Sequence, residues 1–159
     1  MTSDSTPPRA DRPAPDCYAC ANEARFTELP PREHIASDQH WRLAHAIGTS
    51  LPGWLVLLPR RHVTAVHELT DAEAAALGPW QVRVARALRA VTGCAKTYVV
   101  QFAEAEGFAH VHFHLVPCPA DLPADRRGPG VFAFLRDPEP ERLSADEADA
   151  VARAVAARL

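Results

Sequence analysis

A chain of 159 residues, 47% hydrophobic and 23% charged, has the make-up of one ordinary globular domain with a single core. Its 17 basic and 20 acidic residues give a formal net charge of −3, which excludes a broad basic surface for nucleic acid; no apolar run approaches the ~18 residues of a membrane span. The first 16 residues lack the apolar stretch of a secretory signal, so the expected compartment is the cytoplasm, where four cysteines do not read as a disulfide framework.

Residues 1–16 are polar and carry four prolines; they bury little apolar area and are expected to be a disordered tail. Cys17-Tyr-Ala-Cys20 follows. Its redox reading needs a thioredoxin-like context that the chain does not show, and its metal reading needs two more ligands. Ala21 to Phe26 reads as a helical turn, broken by Leu29-Pro30-Pro31. His34 to Asp38 and Trp41 to Ala46 read as short strands with a turn near Asp38-Gln39-His40, and Pro52-Gly53 marks the next turn. Trp54 to Leu58 is an apolar run typical of a strand buried on both sides.

Thr70 and Glu73 form a capping box and Gly93 suits the position after a helix end, which predicts a helix from Asp71 to Thr92. Leu77, Trp80, Val84, Leu88 and Val91 share one face, whereas Arg83, Arg86 and Arg89 lie elsewhere and read as solvated. Pro79 is expected to kink this helix or split off its first turn. Thr97 to Phe102 reads as a strand, then a loop from Ala103 to Ala109 leads into a histidine-rich strand. After Pro117 a surface loop reaches Arg127, Val131 to Leu135 is an apolar piece that docks on the body, and Ser144 with Glu147 caps a terminal helix to about Arg158. Cys94 and Cys118 are isolated and read as small packing residues. The order β-β-β-α-β-β predicts an α+β fold: an antiparallel sheet of about five strands with one long helix and a C-terminal helix.

The segment His110-Val-His112-Phe-His114, running into Leu115-Val116-Pro117, carries the chemistry. On a strand its three imidazoles share one face, with neighbouring rings roughly 7 Å apart. Such a row suits groups lying along a phosphate chain, because neutral imidazole attacks phosphorus and imidazolium holds its oxygens near neutral pH. A His-x-His pair is also a metal-binding arrangement, and core histidines are the third reading.

The pattern His-apolar-His-apolar-His-apolar-apolar from His110 to Val116 resembles the histidine triad family of nucleotide hydrolases and transferases. Gly53-Trp-Leu-Val-Leu-Leu-Pro59-Arg-Arg-His62 is similar to that family's strand leading to Pro-Lys/Arg-x-His, and the helix opening at Glu68-Leu-Thr-Asp71 falls where the family has one. The likeness covers residues 17–120, leaving residues 121–159 as an extension with a loop and a helix packed on the domain. The resemblance implies that His112 is the nucleophile towards the α-phosphorus of a substituted adenine-type nucleotide, a dinucleoside polyphosphate or a nucleoside phosphoramidate. His114 would hold phosphate oxygens and assist the leaving group, and His110 would orient the site or bind metal. Some bacterial members bind zinc through residues that correspond here to Cys17, Cys20, His62 and His110, a donor set that suits a closed structural zinc site. Family members are usually two-fold dimers, so a homodimer is expected.

By the same resemblance Asp38 matches an acidic residue near the ribose, while Glu106 and Gly107 stand where the family commonly has a phosphate-contacting Gln and Ser or Thr. Trp54 stands where a histidine is frequent, and Cys118 replaces an arginine. Trp54 is read as core packing or as a platform for a base. His34, His40, His45 and His67 are read as ordinary surface or edge residues. The altered phosphate contacts motivate a second reading, a nucleotide-binding regulatory module with weak catalysis. A third reading has all three triad histidines serving metal.

Overall fold

The computed structural model describes residues 14–159, so most of the expected 1–16 tail lies outside the described residues. The elements in chain order are α1 (Tyr18–Ala24), β1 (Ala36–Ser37), β2 (Trp41–His45), β3 (Leu55–Pro59), α2 (Asp71–Thr92), β4 (Lys96–Gln101), β5 (Phe113–Cys118) and α3 (Ala145–Ala156). The strands form one antiparallel sheet in the order β1-β2-β3-β5-β4, the α+β architecture expected. Its register places Ala44 opposite Val56, Val56 opposite His114, and His114 opposite Val100.

Side-chain alternation gives the sheet two different faces. Trp41, Leu43, Leu55, Leu57 and Leu115 are fully buried in a core that also takes Val84 and Leu88 of α2 and Val155 of α3. Each such side chain contributes roughly 1.5–3 kcal/mol by leaving water. Arg42, Ala44, Val56, Leu58 and His114 line a cavity on the other face. Beside that cavity a second apolar cluster joins Leu51, Trp54, Val116 and Val131.

The capping box of α2 closes as expected: Glu73 N–H donates to Thr70 Oγ1 at 3.2 Å, and Thr70 N–H to Glu73 Oε2 at 2.8 Å. Gly93 ends the helix in the left-handed region, φ 70°. Of the two outcomes expected at Pro79, the splitting off of a first turn does not occur: α2 runs unbroken from Asp71 to Thr92. Pro79 and Ala75, whose carbonyl loses its i+4 donor, both lie on the exposed face, where water can take that carbonyl. Trp80 and Val84 anchor the helix on its buried face.

Two strand expectations change. The predicted His34–Asp38 strand shrinks to Ala36–Ser37, because His34 N–H turns back to the carbonyls of Pro30 and Pro31. The histidine strand begins only at Phe113: Val111 N–H bonds Val63 O outside the sheet, and His110 is drawn towards α1. The extension after residue 120 packs on the body. Ser50 N–H donates to Phe134 O at 3.0 Å, Leu143 N–H to Thr49 O at 3.0 Å, and Arg32 Nη1 pairs with Asp149 at 3.0 Å.

Candidate active site

Each triad imidazole has one ring nitrogen committed to a partner that determines where its proton sits. His110, 3% exposed, places Nε2 2.7 Å from the carbonyl of Pro59. A carbonyl only accepts, so Nε2 carries the hydrogen and Nδ1 presents a lone pair. That lone pair faces Cys17 Sγ at 3.6 Å, Cys20 Sγ at 3.9 Å and His62 Nδ1 at 3.3 Å, and Cys20 Sγ is 3.3 Å from His62 Nδ1. All four donor atoms lie within 4.8 Å of one another. Zinc bonds of 2.0–2.3 Å in a tetrahedron imply donor separations of about 3.3–3.8 Å, so the residues fit a Cys2His2 zinc site. The Pro59 carbonyl would supply the outer hydrogen bond that orients a ligating histidine. Cys17 also caps α1, accepting from Cys20 N–H at 3.4 Å.

His112 donates from Nδ1 to the carbonyl of His110 at 2.8 Å, which leaves the Nε2 lone pair free. His114 is set in the opposite sense. The indole Nε1–H of Trp54 donates to His114 Nδ1 at 3.0 Å. Indole nitrogen only donates, so Nδ1 must accept and Nε2 carries the hydrogen. Burial, with the nearby His112 adding to it, lowers the His114 imidazole to about 4, so the ring is neutral at pH 7. The rings of His112 and His114 are 4.8 Å apart and nearly perpendicular. This is closer than the roughly 7 Å of a straight strand, because His112 precedes β5. A lone pair and an N–H donor thus stand side by side, able to face one phosphorus.

The cavity that these two rings border has a volume of about 770 Å³, the size of a small-molecule site. Ala44, Val56 and Leu58 form an apolar floor, and Phe102, Phe108 and Phe132 form walls. Phe132, expected only to dock on the body, packs edge-on against both His114 and Trp54 at 5.3 Å. The extension therefore completes the cavity. Trp54 is fully buried, as its packing reading expects, and holds His114 as well.

Several predicted site residues are not brought to this place. Asp38 accepts from His40 N–H and Trp41 N–H, both at 2.7 Å, and from Trp80 Nε1 at 2.6 Å; it shapes a turn and does not line the cavity. Glu106 is exposed off the wall, and Gly107, φ 77°, uses its carbonyl to accept Tyr18 N–H at 3.0 Å. Cys94 and Cys118 are buried packing residues, as expected.

The structure also adds residues that sequence reasoning missed. His45, read as an edge residue, is 3% exposed: it donates to Ala46 O at 2.9 Å and accepts Gly53 N–H at 3.2 Å, tying the β2–β3 connection. Arg42, 2% exposed, donates to Glu33 O at 2.5 Å and lies 3.6 Å from Glu23, yet its Nε has no hydrogen-bond partner among the described residues. Glu33 in turn accepts from Tyr18 Oη at 2.6 Å and Asn22 Nδ2 at 3.0 Å. The signal for Arg42 was in the strand itself, a charge alternating with Trp41 and Leu43 and so aimed at the face opposite the core.

Fold and site together define an α+β protein with a histidine-bordered cavity on one face of an antiparallel sheet. A family model, the HIT domain, matches residues 29–120, and the chain belongs to this histidine triad family of nucleotide-binding proteins, which includes hydrolases and transferases as well as non-catalytic members. Solved structures agree on the fold. A HIT-like protein involved in cell-cycle regulation from Bartonella henselae is 15% identical with a TM-score of 0.66, covering 87% of this chain and 93% of that one. A zinc-bound histidine triad family protein from Mycobacterium smegmatis is 20% identical, TM-score 0.62, covering 89% and 93%. A histidine triad protein from Sinorhizobium meliloti is 23% identical, TM-score 0.65, covering 86% and 94%. No protein among curated relatives matches significantly. No helix among the described residues is long and apolar enough to cross a membrane.

Proposed function

We propose that the protein is a nucleotide hydrolase or transferase that attacks the α-phosphorus of a substituted adenine-type nucleotide through His112. Dinucleoside polyphosphates and nucleoside phosphoramidates are the substrate classes. The observation that carries the reading is the His112 Nδ1–H bond to the His110 carbonyl, which leaves Nε2 as a lone pair beside the His114 ring on a cavity of nucleotide size. Attack by Nε2 forms a nucleotidyl-histidine, and the His110 carbonyl stabilises the positive charge that develops on the ring. The Nε2–H of His114 donates to a phosphate oxygen. Water or another acceptor then releases the nucleotide and restores neutral His112.

Cys17, Cys20, His62 and His110 would hold a structural zinc ion that ties α1 to the segments entering β5; the ion supplies rigidity and stands outside the chemical steps. The reading includes a homodimer, for which β4 offers a sheet edge that is unpaired among the described residues and has Val99 exposed, and a cytoplasmic location. Glu106, Gly107 and Cys118, which motivated a nucleotide-binding regulatory module with weak catalysis, do not line the cavity and give that alternative little support.

The test is intact-protein mass spectrometry after mixing with a diadenosine polyphosphate, with acid avoided. An adenylyl adduct that disappears in His112→Ala is expected; product formed at undiminished rate by His112→Ala refutes the assignment.

A further inference from the structure

We propose that Trp54 holds His114 as a fixed neutral N–H donor, and so restricts efficient turnover to nucleotides whose leaving group departs as an anion. The favoured class is phosphate-anhydride nucleotides, with amine-leaving phosphoramidates turned over poorly. This rests on the reading of His112 as nucleophile and narrows its substrate class.

The geometry leaves the indole one role. Trp54 is fully buried, clustered with Leu51, Val116 and Val131, and backed by Phe132 at 5.3 Å. It cannot swing away, and its Nε1–H points at His114 Nδ1 from 3.0 Å. Turning His114 into an imidazolium means placing a second hydrogen on Nδ1, head-on to the indole hydrogen. A histidine or an amide in place of Trp54 could turn an acceptor towards that hydrogen; tryptophan has none.

The surroundings give an imidazolium no help either. Val56 and Val100 flank His114 on β3 and β4, Phe132 covers it, and the titratable group acting on it is His112, itself a base. No carboxylate is hydrogen-bonded to His114 among the described residues. Burial pushes its protonation in the same direction.

The consequence falls on the bond that breaks. In the first step the Nε2 lone pair of His112 forms the N–P bond, and the electron pair of the bond from α-phosphorus to the leaving atom stays with that atom. A phosphate or polyphosphate oxygen accepts the pair and departs as an anion, needing only hydrogen bonds. An amine nitrogen needs a proton as its bond to phosphorus breaks, and neutral His114 is far too weak an acid to provide it. In the second step water oxygen bonds phosphorus, the N–P pair returns to Nε2, and one water proton passes to solvent. General acid assistance is typically worth 10²–10⁴-fold, so its absence sets the expected discrimination.

The experiment compares kcat for a diadenosine polyphosphate and an adenosine phosphoramidate in the wild type, Trp54→His and Trp54→Phe. Thermal midpoints check that each variant is folded, and nitrogen-15 NMR reads the His114 tautomer. Wild type should favour the anhydride by at least about 100-fold, with His114 protonated on Nε2 alone between pH 5.5 and 8. Folded Trp54→His should narrow that ratio by about 10-fold or more, with the phosphoramidate rate rising as pH is lowered; Trp54→Phe, which adds no acceptor, should instead leave the His114 tautomer no longer fixed. Comparable wild-type rates on both substrates overturn the inference alone, as does an Nδ1 proton on His114 at pH 7. A ratio unmoved in folded Trp54→His, or a His114 still protonated on Nε2 alone in folded Trp54→Phe, does the same. Turnover of neither substrate overturns the enzymatic reading, and this inference with it.

Discussion

Replacing Asp38 by alanine separates a structural carboxylate from a substrate contact. The side chain accepts three hydrogen bonds, two from the turn and one from the indole of Trp80, which is 5% exposed. Alanine strands that buried indole donor, at about 1–3 kcal/mol, and loses the turn acceptor, at about 0.5–1 kcal/mol. Asp38 is itself exposed, so water screens the charged part of these bonds, and a net loss of about 2 kcal/mol is expected. That corresponds to a thermal midpoint lower by about 4–8 °C. Burial raises the Asp38 carboxyl, but the bonds from Trp80, Trp41 and His40 outweigh it and hold the group below its ordinary value. A folded value below the unfolded 3.8 means that the stabilisation is complete above pH 4 and is lost as pH falls through the folded value. The gap between wild type and variant should therefore be full at pH 7 and shrink below about pH 4. Urea melts at several pH values measure it, and steady-state kinetics should show KM for the nucleotide unchanged. A tenfold rise in KM with unaltered stability would refute the argument and restore Asp38 as a ribose contact.

Two further outcomes concern metal and backbone. Elemental analysis should find one zinc per chain, and Cys20→Ser should abolish it and destabilise the protein by more than about 2 kcal/mol, since three donors cannot close the tetrahedron. A metal-free wild type that melts like the variant would count against the site. Gly78→Ala in α2 should be close to neutral: losing a glycine from the helix gains about 0.5–1 kcal/mol, but the new Cβ, though clear of atoms beyond its chain neighbours, crowds the ring of Pro79, which disfavours helical geometry in the residue before it. A midpoint higher by more than about 4 °C would show that the Pro79 ring does not crowd position 78.

Local patterns determined much of this molecule. The bounds of α2 followed from Thr70, Glu73 and Gly93, because capping is chemistry between residues within four positions of each other. Strand order in the chain, the antiparallel class and the histidine motif were legible for the same reason: alternation and short links are read along the chain. Resemblance, more than spacing, linked Cys17 and Cys20 to His62 and His110, and the structure brings their donor atoms together.

Tertiary structure alone decided the rest, wherever the partner is remote in sequence. Trp54 looked like a core residue, and it is; that its indole nitrogen lands on His114 Nδ1, 60 positions away, depends on the pairing of β3 with β5. Arg42 gains its role from Glu33 and Glu23, and Phe132 from a return of the chain across the sheet. Asp38 shows the converse: a polar residue in a plausible position was claimed by Trp80 of α2. A sequence states which groups a chain can offer; which proton each imidazole carries is decided by the acceptor or donor that folding places against its other nitrogen.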